Sequence, residues 1–136
     1  YTGEGGLLWA VDAGDTSGGK AAPLAVDAGG DFCIAGGFWG TKVLGKDSSN
    51  PLSLTAAGHI DIWLAKYGND GVPLWAKSAG GSDQDEASGV TVDPAGNCVI
   101  TGMFKADARF DPEYKLIAKG YMDIFLAKYS NGTDSC

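Results

Sequence analysis

Apolar and polar residues alternate along this chain in short runs, separated by glycine-rich breaks. Ala87-Ser88-Gly89-Val90-Thr91-Val92 alternates and is rich in β-branched residues. Cys98-Val99-Ile100-Thr101-Gly102-Met103-Phe104 and Asp123-Ile124-Phe125-Leu126-Ala127-Lys128-Tyr129 follow it as further strand-like runs. Between the first two lies Asp93-Pro94-Ala95-Gly96-Asn97, where proline pre-sets one dihedral and glycine accepts a positive one. No stretch keeps the 3.6-residue period of a helix, so the pattern predicts an all-β chain.

The runs recur. Leu8-Trp9-Ala10 returns as Leu74-Trp75-Ala76, and 75 − 9 gives an offset of 66. Ala13-Gly14, Val26-Asp27, Gly30, Ile34, Gly36 and Phe38 return at the same offset. Gly58 to Tyr67 then returns as Gly120 to Tyr129, where 120 − 58 gives 62. The first copy therefore holds four extra residues (66 − 62) between Gly40 and Leu52, a length difference expected of a surface loop. Each unit reads as four short strands with a loop before the third. Gly68-Asn69-Asp70-Gly71 is a hairpin turn, and Leu74 to Ala79 is the last strand. Four antiparallel strands repeated radially make the blades of a β-propeller. The expected architecture is two four-stranded antiparallel propeller-type blades, a partial β-propeller.

The phase of the repeat divides the chain. Residues 1–20 hold an N-terminal strand, Leu7 to Val11, able to complete a blade of another chain. Residues 21–82 form blade one. Residues 83–136 form blade two, which lacks its outermost strand. An unpaired strand edge attracts a partner. Head-to-tail pairing between copies gives a closed ring or an open filament. We expect a ring of about three or four chains on that closure argument, with a filament or a cut from a longer propeller as the alternatives.

The chain resembles the SBBP repeat, the seven-bladed β-propeller repeat of secreted bacterial proteins. The resembling residues are Asp61 to Tyr67, Gly71 to Ala76, Ala79-Gly80-Gly81, and Gly89 to Asn97 through Thr101-Gly102. The first copy departs at Ala28-Gly29-Gly30-Asp31, where Asp stands for the usual Asn. The resemblance implies an extracellular scaffold, secreted or on the cell surface, and says little of chemistry.

Composition narrows the function classes. The 22 glycines are spread along the chain rather than placed at every third residue, which excludes collagen and fits many turns. A net charge of −7 argues against nucleic acid and anionic lipid as partners. No apolar run is long enough to insert into a membrane. The chain begins at Tyr1 and shows no signal peptide, so a processed or excised chain is expected.

Candidate chemistry is sparse. Cys33, Cys98 and Cys136 fit no zinc spacing, and His59 is the only histidine. Cys33 and Cys98 read as buried free thiols in preference to a disulfide, and Cys136 as free or paired with another chain. Asp83, Asp85 and Glu86 read as a solvated loop without calcium-site spacing, and Asp107 and Asp111 likewise. Asp27, Asp93, Asp61 and Asp123 recur in both copies and read as turn residues that bind local amides. His59 reads as a loop residue, because no nucleophile stands near it. Asn131-Gly132-Thr133 fits a glycosylation acceptor but reads as a turn. Trp9, Trp75, Trp63 and Phe125 recur and read as core between blades.

We therefore expect no catalytic residue, metal or cofactor. Leu8, Trp9 and Cys136 are the candidate partner contacts, and Trp39, which does not recur, is a candidate ligand contact. The expected role is a non-catalytic scaffold built by strand donation and blade stacking, with copies of itself or further blades as partners. The alternative is a lectin-like module that binds a glycan or a protein through Trp39 and the insertion at 46–51.

Overall fold

A computed structural model describes residues 5–14 and 22–131. Eleven strands form among these residues, and no helix. Four make the first sheet, in the order β1 (Leu24–Val26), β2 (Phe32–Phe38), β5 (Asp61–Tyr67), β6 (Pro73–Ala79). Three make the second, with β8 (Cys98–Phe104) at the centre between β7 (Asp85–Val92) and β11 (Asp123–Tyr129). All ladders are antiparallel, and one isolated parallel bridge joins Ile60 to Gln84.

The loop expected before the third strand of each unit is instead a two-stranded hairpin. β3 (Thr41–Leu44) pairs with β4 (Leu52–Thr55), and β9 (Asp107–Arg109) pairs with β10 (Lys115–Ile117). Lys42 opposes Leu54 in the first, and Ala108 opposes Leu116 in the second. The register is thus the same in both copies, and Phe110 N–H closes on the Tyr114 carbonyl at 2.8 Å. The four-residue insertion falls at the β3–β4 tip, within 45–51.

No strand forms over Leu7 to Val11, contrary to the sequence expectation. A strand exists through its ladder bonds, and among the described residues this segment takes part in no ladder.

The turn chemistry follows the sequence closely. The Asp27 carboxylate accepts the N–H groups of Gly29 and Asp31 at 2.8 and 3.0 Å. Asp93 accepts those of Ala95 and Asn97 at 3.0 and 2.9 Å. Gly30 and Gly96 take φ of 89° and 86° in these two turns, where a side chain would be strained. Asp61 caps the Ala57 N–H at 2.8 Å, and Asp123 that of Lys119 at 3.0 Å. All four recurrent aspartates therefore bind local amides.

Two apolar clusters result. One lies on the outer side of the first sheet, where Leu44 of the β3–β4 hairpin packs with Phe38, Trp63, Ala65 and Tyr67. The other lies between the sheets. Cys33, Ala35, Ile62 and Leu64 of the first sheet meet Ala87, Cys98, Ile100, Phe104 and Phe125 of the second. Of the four recurrent aromatics expected between blades, Phe125 is buried between the sheets and Trp75 packs against that cluster, whereas Trp63 is buried in the outer cluster beneath its own hairpin and Trp9 is exposed.

Candidate functional site

The two sheets meet at one junction, and the repeat places copies of its two halves on the outside of the molecule. Strand alternation sends Cys33, Ala35, Ile62 and Leu64 to the rear of the first sheet. There they lie against the front of the second. Cys33 and Cys98 form a disulfide across this junction, with Cα atoms 6.1 Å apart. This corrects the reading of both as free thiols. The two cysteines are one position out of step in equivalent strands, so they leave opposite faces and point at each other.

Polar contacts cross the same junction. Lys66 is buried and donates to the Asp27 carboxylate of its own sheet at 2.8 Å. Its Nζ also donates to the Gly96 carbonyl in the facing turn of the second sheet, again at 2.8 Å. The Lys66 ammonium beside Asp27 holds that carboxyl below its ordinary range. At the same end of β5 and β6, where Trp75 opposes Lys66, the indole of Trp75 donates to the Asn131 carbonyl at 3.1 Å. Asn131 in turn donates its amide to the Ala95 carbonyl at 2.7 Å.

The outer faces repeat these features with no facing sheet among the described residues. On β11, Ile124 and Leu126 stand where Ile62 and Leu64 stand on β5. Ile124 is 81% and Leu126 73% exposed, whereas Ile62 and Leu64 are both fully buried. Lys128 stands where Lys66 does. It pairs with Asp93 at 2.6 Å, as Lys66 pairs with Asp27, and it too holds its partner carboxyl below the ordinary range. Its side chain is 58% exposed, against 3% for Lys66.

On the opposite outer face, Leu24 and Val26 are exposed, while their counterparts Val90 and Val92 pack into the junction. A cleft of about 230 Å³ lies there, lined by Trp9, Leu24, Phe32, Ile34 and Tyr67 among others. Trp9 closes one side. Its indole donates to the Asn69 carbonyl at 2.8 Å and meets the Phe32 ring edge-on at 5.8 Å. Asn69 is the repeat counterpart of Asn131, so Trp9 repeats the contact of Trp75.

Leu8 is exposed beside Trp9. Trp39 is exposed between β2 and β3, away from the Trp9 cleft lining. The structure therefore brings Leu8 and Trp9 together and leaves Trp39 apart. Cys136 lies outside the described residues.

The acidic group at 83–86 does not lie wholly in solvent. Asp85 opens β7, is fully buried, and accepts the Gly81 and Lys105 N–H groups at 2.9 and 3.3 Å. Burial pushes its carboxyl up to about 6, against the pull of those two donors. Asp61 is also buried, and its desolvation raises it. No cluster of three metal-ligating side chains occurs among the described residues. His59 is exposed.

Sequence reasoning missed Lys66 and Lys128. The signal was present, since a lysine recurs in Ala-Lys-Tyr and an aspartate recurs in the Val-Asp turn. Two recurrent charges of opposite sign on one β unit are a pair to look for. In comparison with known proteins, the chain matches no family model and no curated protein.

Proposed function

We propose that this chain is a pair of propeller blades of the SBBP kind, serving as a non-catalytic extracellular scaffold through blade stacking and strand donation. One observation carries the reading: Trp9 sits on Asn69 as Trp75 sits on Asn131. Trp75 comes from the outermost strand of one sheet and reaches the next sheet. Trp9 occupies the same relation to the first sheet, so its segment takes the place of the outermost strand of a preceding blade. The exposed Ile124 and Leu126 mark the face where a following blade would stack. The Cys33–Cys98 disulfide favours an oxidising compartment, in keeping with a secreted or surface location.

The native mass decides the matter. Light scattering after size exclusion is expected to give a multiple of 13.9 kDa, or large species growing with concentration. A single-chain mass at the highest concentration reached rejects assembly of this chain into a scaffold.

The exposure of Trp39 favours one second reading, a glycan-binding module. Glycan binding abolished by Trp39→Ala, with no assembly, would put that reading in place of the scaffold.

A further inference from the structure

We infer that the outer face of the second sheet is docked by a second copy of this chain, whose residues 7–13 add to β11 in one definite register. The inference rests on the scaffold reading and specifies its contact. Its template is the junction inside the molecule. β6 pairs with β5 so that Leu64 opposes Lys77, Ala65 opposes Ala76 and Lys66 opposes Trp75. The segment 7–13 is the repeat counterpart of β6, and β11 that of β5. Carried through the two offsets, Leu126 opposes Val11 of the second copy, Ala127 opposes Ala10, and Lys128 opposes Trp9.

Three features make the partner a second copy rather than an unspecified apolar surface. The segment that would add to β11 carries the Leu-Trp-Ala run of β6, the strand that fills this place in the first sheet. Trp9 is already set on Asn69 of its own sheet, which holds the segment on the side from which it would meet a preceding sheet. The polar contact is also complementary. Lys66 uses one proton on Asp27 and another on the Gly96 carbonyl across the junction. Lys128 already holds Asp93, and the counterpart of Gly96 is Gly30, which takes the same positive φ on the opposite outer face.

Docking one copy on another would therefore bring Lys128 against the Gly30 carbonyl of its neighbour. It would bury Ile124 and Leu126 against Leu24, Ile34 and their surroundings. The contact is heterologous, because the two faces differ, so it repeats from copy to copy.

The test uses two single variants in a Cys136→Ser background, Ala10→Cys and Ala127→Cys. Mixed and oxidised, they are expected to give a disulfide-linked pair of chains on a non-reducing gel. Neither variant alone should do so. Leu8→Cys mixed with Ala127→Cys, two residues out of register on the same strand, should link far less. Lys128→Met is expected to weaken association about tenfold while leaving circular dichroism unchanged. Oligomers that link Ala10→Cys to itself, or link the Leu8→Cys mixture better, overturn the register while leaving the scaffold reading standing. Oligomers with no link in any mixture do the same. A single-chain mass overturns both.

Discussion

Cys33 stands second in β2 and Cys98 first in β8, and this one-residue difference in phase sets their side chains face to face between the two sheets. The bridge closes a loop of 65 residues in sequence separation. Joining positions that far apart restricts the unfolded chain and is worth about 4 kcal/mol on loop-closure entropy. Replacing both cysteines by alanine is therefore expected to lower the urea midpoint without changing which strands form. Equilibrium denaturation of the double variant beside the oxidised parent measures it. An unchanged midpoint would mean that the bridge does not constrain the unfolded chain.

The same pair shows how far the sequence could be read. The repeat offsets and the turn aspartates followed from periodicity, because each side chain serves the same end in both copies. The disulfide breaks the repeat: Cys33 has Val99 as its counterpart, and Cys98 has Phe32. Apolar alternation alone marks both cysteines as buried, and only their opposite phase shows that they share one junction. The β3 and β9 hairpins escaped notice for a different reason. Their strands are three or four residues long, and β3 buries Lys42 with its ammonium 4.1 Å from the Trp63 ring centre. A buried lysine over an aromatic ring disguises an inward position as a polar one.

Lys66 and Lys128 are the same residue of the repeat in two environments. Lys66→Met would strand the Asp27 carboxylate and leave the Gly96 carbonyl without its donor. Removing one partner of a buried pair costs about 3 kcal/mol. Lys128→Met, on an exposed side chain, is expected to leave the stability of the single chain nearly unchanged. Parallel urea titrations at low protein concentration compare the two. Equal losses would contradict the junction as described.

Asp85 makes stability depend on pH in an uncommon direction. Its folded value of about 6 lies above the ordinary 3.8, because burial disfavours the carboxylate. The folded chain therefore holds the proton after the unfolded chain has released it. The contribution of Asp85 is complete below about pH 4 and is lost as pH rises through 6, with an upper bound of about 3 kcal/mol. Asp27 works in the opposite sense at lower pH, since its value is depressed and its contribution fades as acid titrates it. Asp85→Asn is expected to flatten the decline between pH 4 and 6.5. A variant whose stability falls across that window as steeply as the parent's would assign the slope elsewhere.

Gly102 and Gly36 hold equivalent places in β8 and β2, yet their surroundings differ. A Cβ on Gly102 would overlap the Glu86 carbonyl oxygen and stand 2.8 Å from the Ala87 Cα, both backbone atoms of β7 at its bulge. A Cβ on Gly36 would meet the Trp63 indole nitrogen at 2.9 Å, a side-chain rather than a backbone atom. Backbone cannot yield without opening the β7–β8 ladder, so Gly102→Ala is expected to cost about 3 kcal/mol, the upper end of overpacking. Gly36→Ala should cost about 1 kcal/mol. Tryptophan fluorescence adds a second readout, because only Gly36→Ala moves an indole directly. If Gly36→Ala proved the more damaging, the pairing of β7 with β8 would be more pliant than their close approach at Gly102 indicates.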